Sequence, residues 1–382
     1  MTGFTRREML AGSAAIGSAA LAAPAFAQDT GTGLNTVAKA KGMRFGSCLA
    51  WGSQGVDRGS FANPAYAALI ERDCGILVPE NEFKWQALRP DAKSFDVTRF
   101  ADMLDYAERK GIPMRGHTLL WHKTEYFPKW LNEYDFGATP AKEADRLLTQ
   151  HIKTIGKLYG NRLASFDVVN ETVDEKTGKQ RESSLSKAFG SADAMVDRAF
   201  HLARENMPGT ELVYNDYMSW EPGNETHRYG VLKLLEGFRK RGVPCDALGV
   251  QSHIGIHSGG TVGALVSSQE KPWRAFLDAV TGMGYKLLIT EFDVSDKAVV
   301  KDEKIRDGIV ANYAAAYLEI MFSYPQLRDV LAWGMCDKYS WLQGFAKRSD
   351  GTPQRCCPYD AQFKPKALYT AIHDAFGAAA AR

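Results

Sequence analysis

The chain has 382 residues, a formal net charge of +2, and 45% hydrophobic against 24% charged residues. Those proportions exclude a disordered chain, and the lack of any run of about 18 strongly apolar residues argues against a membrane-spanning one. The near-neutral balance offers no cationic footprint for DNA or RNA and suits a neutral or weakly charged partner.

In chain order, Arg6-Arg7 comes first, within Thr5-Arg6-Arg7-Glu8-Met9-Leu10. A mildly apolar stretch rich in Ala, Gly and Ser follows. Ala25-Phe26-Ala27 then supplies a small-x-small cleavage pattern before Gln28. These parts in this order predict a twin-arginine signal peptide over residues 1–27, hence a periplasmic or secreted protein with no membrane segment after signal removal. Residues 28–382 are expected to form one domain. The six cysteines, Cys48, Cys74, Cys245, Cys336, Cys356 and Cys357, include no C-x-x-C pair, so no zinc site or redox motif is expected. Cys48 and Cys336 lie in apolar runs as buried thiols, and the adjacent Cys356 and Cys357 are poorly placed to bridge each other.

Short apolar runs predict strands at 45–49, 76–79, 114–120, 165–170, 212–215, 247–253, 286–290 and 330–335. Most are continuously apolar, as strands buried on both faces of a parallel sheet should be. Helical periodicity lies between them. Phe100, Met103, Leu104 and Ala107 share one face before Gly111 ends that helix. Thr139-Pro140 reads as cap and first position of a helix carrying Leu148, Ile152, Ile155 and Tyr159. Val196, Ala199, Phe200 and Ala203 repeat the spacing before Pro208-Gly209. Strands alternating with helices, unbroken by a linker, predict an α/β fold, a closed (β/α)8 TIM barrel. An open doubly wound sheet is the competitor, but no G-x-G-x-x-G or P-loop follows any strand.

Polar residues gather just past nearly every strand, where a barrel places its active site. The second strand delivers Glu80-Asn81-Glu82-Phe83-Lys84-Trp85, the third His117 to His122, the fourth Asn170-Glu171, and the fifth Asn215-Asp216-Tyr217. The sixth delivers Gln251-Ser252-His253, the seventh Glu291-Phe292-Asp293, and the eighth Trp333-Gly334, with Trp341 soon after. Glu171 and Glu291 both end apolar runs, and a buried carboxylate is costly unless paired or hydrogen-bonded. Surface ion pairs at the rim are the bland reading. His253 and Asp293 nearby count against it, since an imidazole and a carboxylate can orient another carboxylate, and Asn170 can donate to a substrate hydroxyl. Paired carboxylates among Trp, Asn, Gln, His and Lys are what glycoside cleavage needs: one protonates the leaving oxygen, and the other attacks C1 or activates water. Sugars present flat C–H faces that Trp covers and hydroxyls that amides, His and Lys bind. Trp85, Trp121, Trp333 and Trp341 all stand near strand ends. Glu171 is expected to hold its proton more tightly than an ordinary carboxyl because of the Glu291 charge nearby.

The segments Val78 to Trp85, Arg115 to His122, Asp167 to Glu171, Tyr214 to Tyr217, Gln251 to His253, Ile289 to Asp293, Trp333-Gly334 and Lys364 to Tyr369 together resemble glycoside hydrolase family 10, the retaining endo-β-1,4-xylanases. The matches run in family order across nearly the whole mature chain. The resemblance implies a barrel hydrolase acting on xylan or xylooligosaccharide as a monomer, with no cofactor or metal. Glu171 would be the acid/base and Glu291 the nucleophile, hydrogen-bonded to His253, which Asp293 orients. Glu80, Asn81, Lys84, His117, Trp121, Trp333 and Trp341 would line the glycone side. Asn170 and Gln251 would sit beside the reacting sugar, with Tyr217 on the aglycone side. Retention is likewise implied by the resemblance, since a bare sequence does not set carboxyl separation. The chain departs from the family pattern at Lys123, where Ser or Asn is frequent, and at Leu342, where Arg is. The alternatives are an exo-acting or oligosaccharide-specific β-glycosidase (xylobiohydrolase- or cellobiohydrolase-like) on the same fold, and a non-catalytic carbohydrate-binding barrel, against which both Glu argue.

Overall fold

Eight barrel strands carry the site: β1 (Arg44–Leu49), β2 (Ile76–Pro79), β3 (Gly116–Trp121), β4 (Ser165–Asn170), β5 (Glu211–Asp216), β6 (Ala247–Val250), β7 (Lys286–Ser295) and β8 (Leu327–Ala332). The computed structural model describes residues 32–257, 260–300 and 302–382. The signal peptide expected over residues 1–27 lies outside them. All the pairings are parallel, in the order β2-β1-β8-β7-β6-β5-β4-β3. The ring closes between β2 and the residues before β3: Leu77 N donates to Pro113 O at 2.9 Å and Arg115 N to Leu77 O at 2.8 Å. This is the expected (β/α)8 barrel.

Successive strand residues face opposite sides, and both sides are buried. On β2, Leu77 joins the large core between strands and helices, whereas Ile76 and Val78 pack with Cys48, Leu331 and Trp333 in a separate cluster. The helical faces read from periodicity are buried at Phe100, Met103, Leu104, Ala107, Leu148, Ile152, Ile155, Tyr159, Val196, Ala199, Phe200 and Ala203. One cap expectation fails. The helix Pro140–Tyr159 starts at the predicted residue, but Thr139 makes no side-chain cap bond.

Strand limits differ from expectation where backbone geometry intervenes. The sixth run stops at Val250 because Ser252 takes φ +63°, and a short strand, His253–Gly255, then resumes pairing with the far end of β7. That partner explains why β7 runs on to Ser295 rather than ending at Thr290. All six cysteines are buried thiols. Cys336 lies beyond β8, at the start of the 3-10 turn Asp337–Tyr339. Among the described residues, no helix is long and apolar enough to cross a membrane.

Candidate active site

The carboxyl ends of the strands frame a cleft of about 640 Å³. Of the fourteen residues singled out from the sequence, thirteen line it; Asp293 stands directly behind, touching His253 and Trp341.

Glu171 follows β4 at φ +55°, a left-handed conformation that is costly for a residue with a Cβ and tends to persist at functional sites. Its N–H donates to Asn215 O at 2.9 Å, so the next strand fixes the turn. Its Oε1 accepts from Gln251 Nε2 at 2.9 Å and Asn170 Nδ2 at 3.2 Å. Lys123 Nζ lies 3.7 Å from the other oxygen, Oε2. Glu291 sits within β7, its N–H on Gln251 O at 2.9 Å. Its Oε1 accepts from Asn215 Nδ2 at 2.8 Å, and its Oε2 lies 3.3 Å from His253 Nε2. The other His253 nitrogen, Nδ1, is 3.0 Å from Asp293 Oδ2, which also accepts from Trp341 Nε1 at 2.7 Å. A relay therefore runs from Trp341 through Asp293 and His253 to Glu291.

The two carboxyls are shifted in opposite directions. Burial is the chief reason Glu171 holds its proton above the ordinary range; the Gln251 hydrogen bond opposes it, and the Asp216 and Glu291 charges add to it. The sequence reading assigned this to Glu291, but desolvation outweighs that charge. Burial also pushes Glu291 upward, yet the His253 hydrogen bond, with His117, His253 and Lys84 charges, brings it down to about 2. Burial disfavours charge on His253 as well, but Asp293 and Glu291 hold its proton up to about 10. Glu171 is thus shifted upward and Glu291 downward, beside an imidazole that holds its proton, and it is such a divergence that lets two neighbouring carboxyls take different roles.

Two amides link the carboxyls. Asn215 Nδ2 bridges Asn170 Oδ1 at 2.9 Å and Glu291 Oε1 at 2.8 Å, while Thr290 Oγ1 donates to Asn215 Oδ1 at 2.6 Å and so sets the amide's orientation. Gly249 makes room for this: a Cβ there would lie 2.4 Å from Asn215 Oδ1. Beneath the site, Asp167 on β4 binds Arg115 and His117, the latter at 2.9 Å, tying β4 to β3 through buried polar contacts.

On the other wall, Lys84 Nζ donates to Asn81 Oδ1 at 3.0 Å and lies 4.5 Å over the Trp121 ring, which stacks on Tyr126 at 3.8 Å. Burial lowers the Lys84 pKa and raises that of Glu80. Tyr217 is clamped by its hydroxyl, which donates to Glu175 Oε2 at 2.6 Å and accepts from Arg181 Nη2 at 2.7 Å. Trp85 is a correction. It does not face the cleft; it is buried, stacked on His151 at 4.1 Å, because the loop after β2 turns inward there.

Sequence reasoning placed Asn215 at a strand end but gave it no role, and it missed Glu175, Arg181, Glu221, His257, Tyr126 and Phe345. For Asn215 the usable signal was an amide at a strand end beside the Asn170 strand. The others come from loops whose path no periodicity reveals. For a metal, Asp337, Cys356 and Cys357 place ligand atoms within 4.8 Å of one another, but Lys366 Nζ lies 2.8 Å from Asp337, so a cation already balances that carboxylate.

Known proteins share this fold. The crystal structure of native xylanase 10B from Thermotoga maritima superposes with a TM-score of 0.78 at 26% identity, covering 90% of this chain and 98% of that one. Xylanase 10B from Thermotoga petrophila in complex with xylobiose gives 0.79 at 26% identity, over 92% of this chain and 98% of that one. Endo-1,4-beta-xylanase A from Caldicellulosiruptor saccharolyticus is 31% identical over 306 residues, 77% of this chain and 84% of its own length. The model of glycosyl hydrolase family 10 matches residues 33–375, and the chain belongs to that family.

Proposed function

We propose that the protein is a retaining endo-β-1,4-xylanase that cleaves internal linkages of xylan by double displacement. The observation that carries the reading is the pair of unlike carboxyls in one cleft, Glu171 inclined to hold a proton and Glu291 ionised. Glu291 attacks the anomeric carbon while Glu171 gives its proton to the departing glycosidic oxygen. The glycosyl ester formed on Glu291 is then hydrolysed by water, whose proton returns to Glu171 as the new C1–O bond forms and Glu291 leaves. Asn215 and His253 donate to Glu291 and would stabilise it as it departs. Lys84, Asn81, His117, Glu80 and the Trp121, Trp333 and Trp341 rings would hold the glycone. Asn170 and Gln251 would flank the reacting sugar, and Tyr217 would meet the aglycone. Relatives named as endo-1,4-beta-xylanases, and xylobiose in the Thermotoga petrophila complex, support xylan as substrate. Residues 1–27 are read as the export signal, so N-terminal sequencing of exported protein should begin near Gln28.

Leaving-group chemistry tests the roles. Glu171→Ala should nearly abolish xylan cleavage yet spare the glycosylation step on an aryl xyloside with an acidic phenol, which departs without a proton. Glu291→Ala should abolish both, by at least ~10⁴-fold. Equal damage to both substrates in Glu171→Ala at glycosylation would remove its acid role. Early mid-chain scission of long xylan is expected, and release of only short units would favour the exo alternative.

A further inference from the structure

Lys123 follows Trp121-His122 at the leaving-group end of the cleft and has no part in the relay around Glu291. Its Nζ lies 3.7 Å from Glu171 Oε2 and 3.6 Å from Glu125 Oε1. The same ammonium lies 5.4 Å from the ring centres of both Tyr126 and Tyr217, a reach at which a cation is attracted to aromatic rings. The Tyr217 ring is itself fixed by Arg181 and Glu175. A flexible four-carbon side chain is thereby confined, with its side chain 21% exposed. Of the two Glu171 oxygens, Oε1 takes both amide donors, Gln251 and Asn170, while Oε2 faces Lys123.

We propose that Lys123 is a positioning residue for Glu171: its ammonium, confined between two tyrosine rings, orients the carboxyl toward the leaving group and sets the pH at which the proton is surrendered. This rests on the retaining-hydrolase reading for its catalytic meaning. Other charges also act on Glu171: Glu291 from β7, Asp216 from β5 and Lys84 from the loop after β2, while Arg181, in the loop after β4, bonds the Glu171 backbone carbonyl and pairs with Asp174 and Glu175. Arg181 spends its guanidinium on those two acids and on the Glu171 carbonyl, so it is not the side-chain counter-ion. Asp216 and Glu291 favour the protonated acid, and Lys123 opposes them. In the second half of the reaction, the same cation stabilises Glu171 as the carboxylate that takes a proton from water.

The test uses the full-length protein with Lys123→Met, which keeps the stem and removes the charge, and Lys123→Arg, which restores it. Two readouts are taken: the carboxyl titration of Glu171 by ¹³C NMR in the resting protein, and the alkaline limb of kcat/KM on xylooligosaccharide. Lys123→Met should move both upward by about one pH unit, a modest value for a partly solvated cation shared with Glu125, and Lys123→Arg should return them. Raising salt should shrink the wild-type difference. An unmoved Glu171 titration in a folded Lys123→Met protein would overturn the proposal, as would a limb shifted equally in Lys123→Arg. A moved titration in a protein that never cleaves xylan would support the charge contact while taking down the hydrolase reading.

Discussion

The wall behind Glu291 and the rim beside Glu171 use similar side chains in different ways. Behind Glu291, polar groups stand on or beside strands and are tied into one relay, Trp341 to Asp293 to His253 to Glu291, with Asn215 on the remaining oxygen. Beside Glu171, the charged groups Lys123, Glu125, Arg181 and Glu175 come from loops, and several reach water. The proposed nucleophile must stay ionised in a buried place, which demands fixed donors, because any that turned away would leave an uncompensated charge. The proposed acid, giving and regaining its proton in each turnover, needs a softer setting. It stands on two amide donors and a partly solvated cation.

Breaking the wall behind Glu291 should cost most. In Asp293→Asn, His253 loses the anion that holds its proton, and Glu291 loses an imidazolium. The expected result is a fall of about 10²–10³-fold in kcat/KM at neutral pH, with the acid limb moving up from near the Glu291 value of about 2. An unmoved acid limb on a soluble aryl xyloside would mean the relay does not ionise Glu291. The same shifts bear on stability. The His253 contribution is complete below its unfolded value of about 6.5 and is lost as pH rises through about 10. That of Glu291 is complete above about 4.5 and is lost as pH falls through about 2.

Asn215→Ala comes next. It deletes a donor to a buried carboxylate and leaves the Asn170 side-chain oxygen with only the Gln251 amide at 3.3 Å, so kcat should drop about 10–100-fold with KM nearly unchanged. A change confined to KM would make Asn215 a substrate-binding group instead. The rim is the place for the smallest effect. Tyr217→Phe keeps the ring and removes only its bonds to Glu175 and Arg181, so KM on long xylooligosaccharides should rise less than about threefold. A larger loss would show the rim to be as rigid as the wall.

The barrel was legible because strands buried on both faces must be apolar throughout, and helices on one face only; 76–79 and 165–170 were read with the bounds the structure has. Motifs at strand ends were legible for a related reason: a closed parallel barrel brings all those ends to one face. Trp85 was misread because its loop turns inward, a matter of packing that spacing does not encode. The break at Ser252 and the Arg181 clamp on Tyr217 were invisible, since single backbone angles and loop paths leave no periodic trace.

By itself, then, the chain's order of residues determined the alternating strand and helix pattern, the pair Glu171 and Glu291, and the family to which they belong. Only the tertiary structure decided that burial is the chief influence shifting Glu171 upward, that His253 brings Glu291 down, and that Lys123 faces Glu171. Those outcomes depend on distances of a few ångströms between groups far apart in the chain, and electrostatic energy in a poorly solvated cleft changes steeply over such distances.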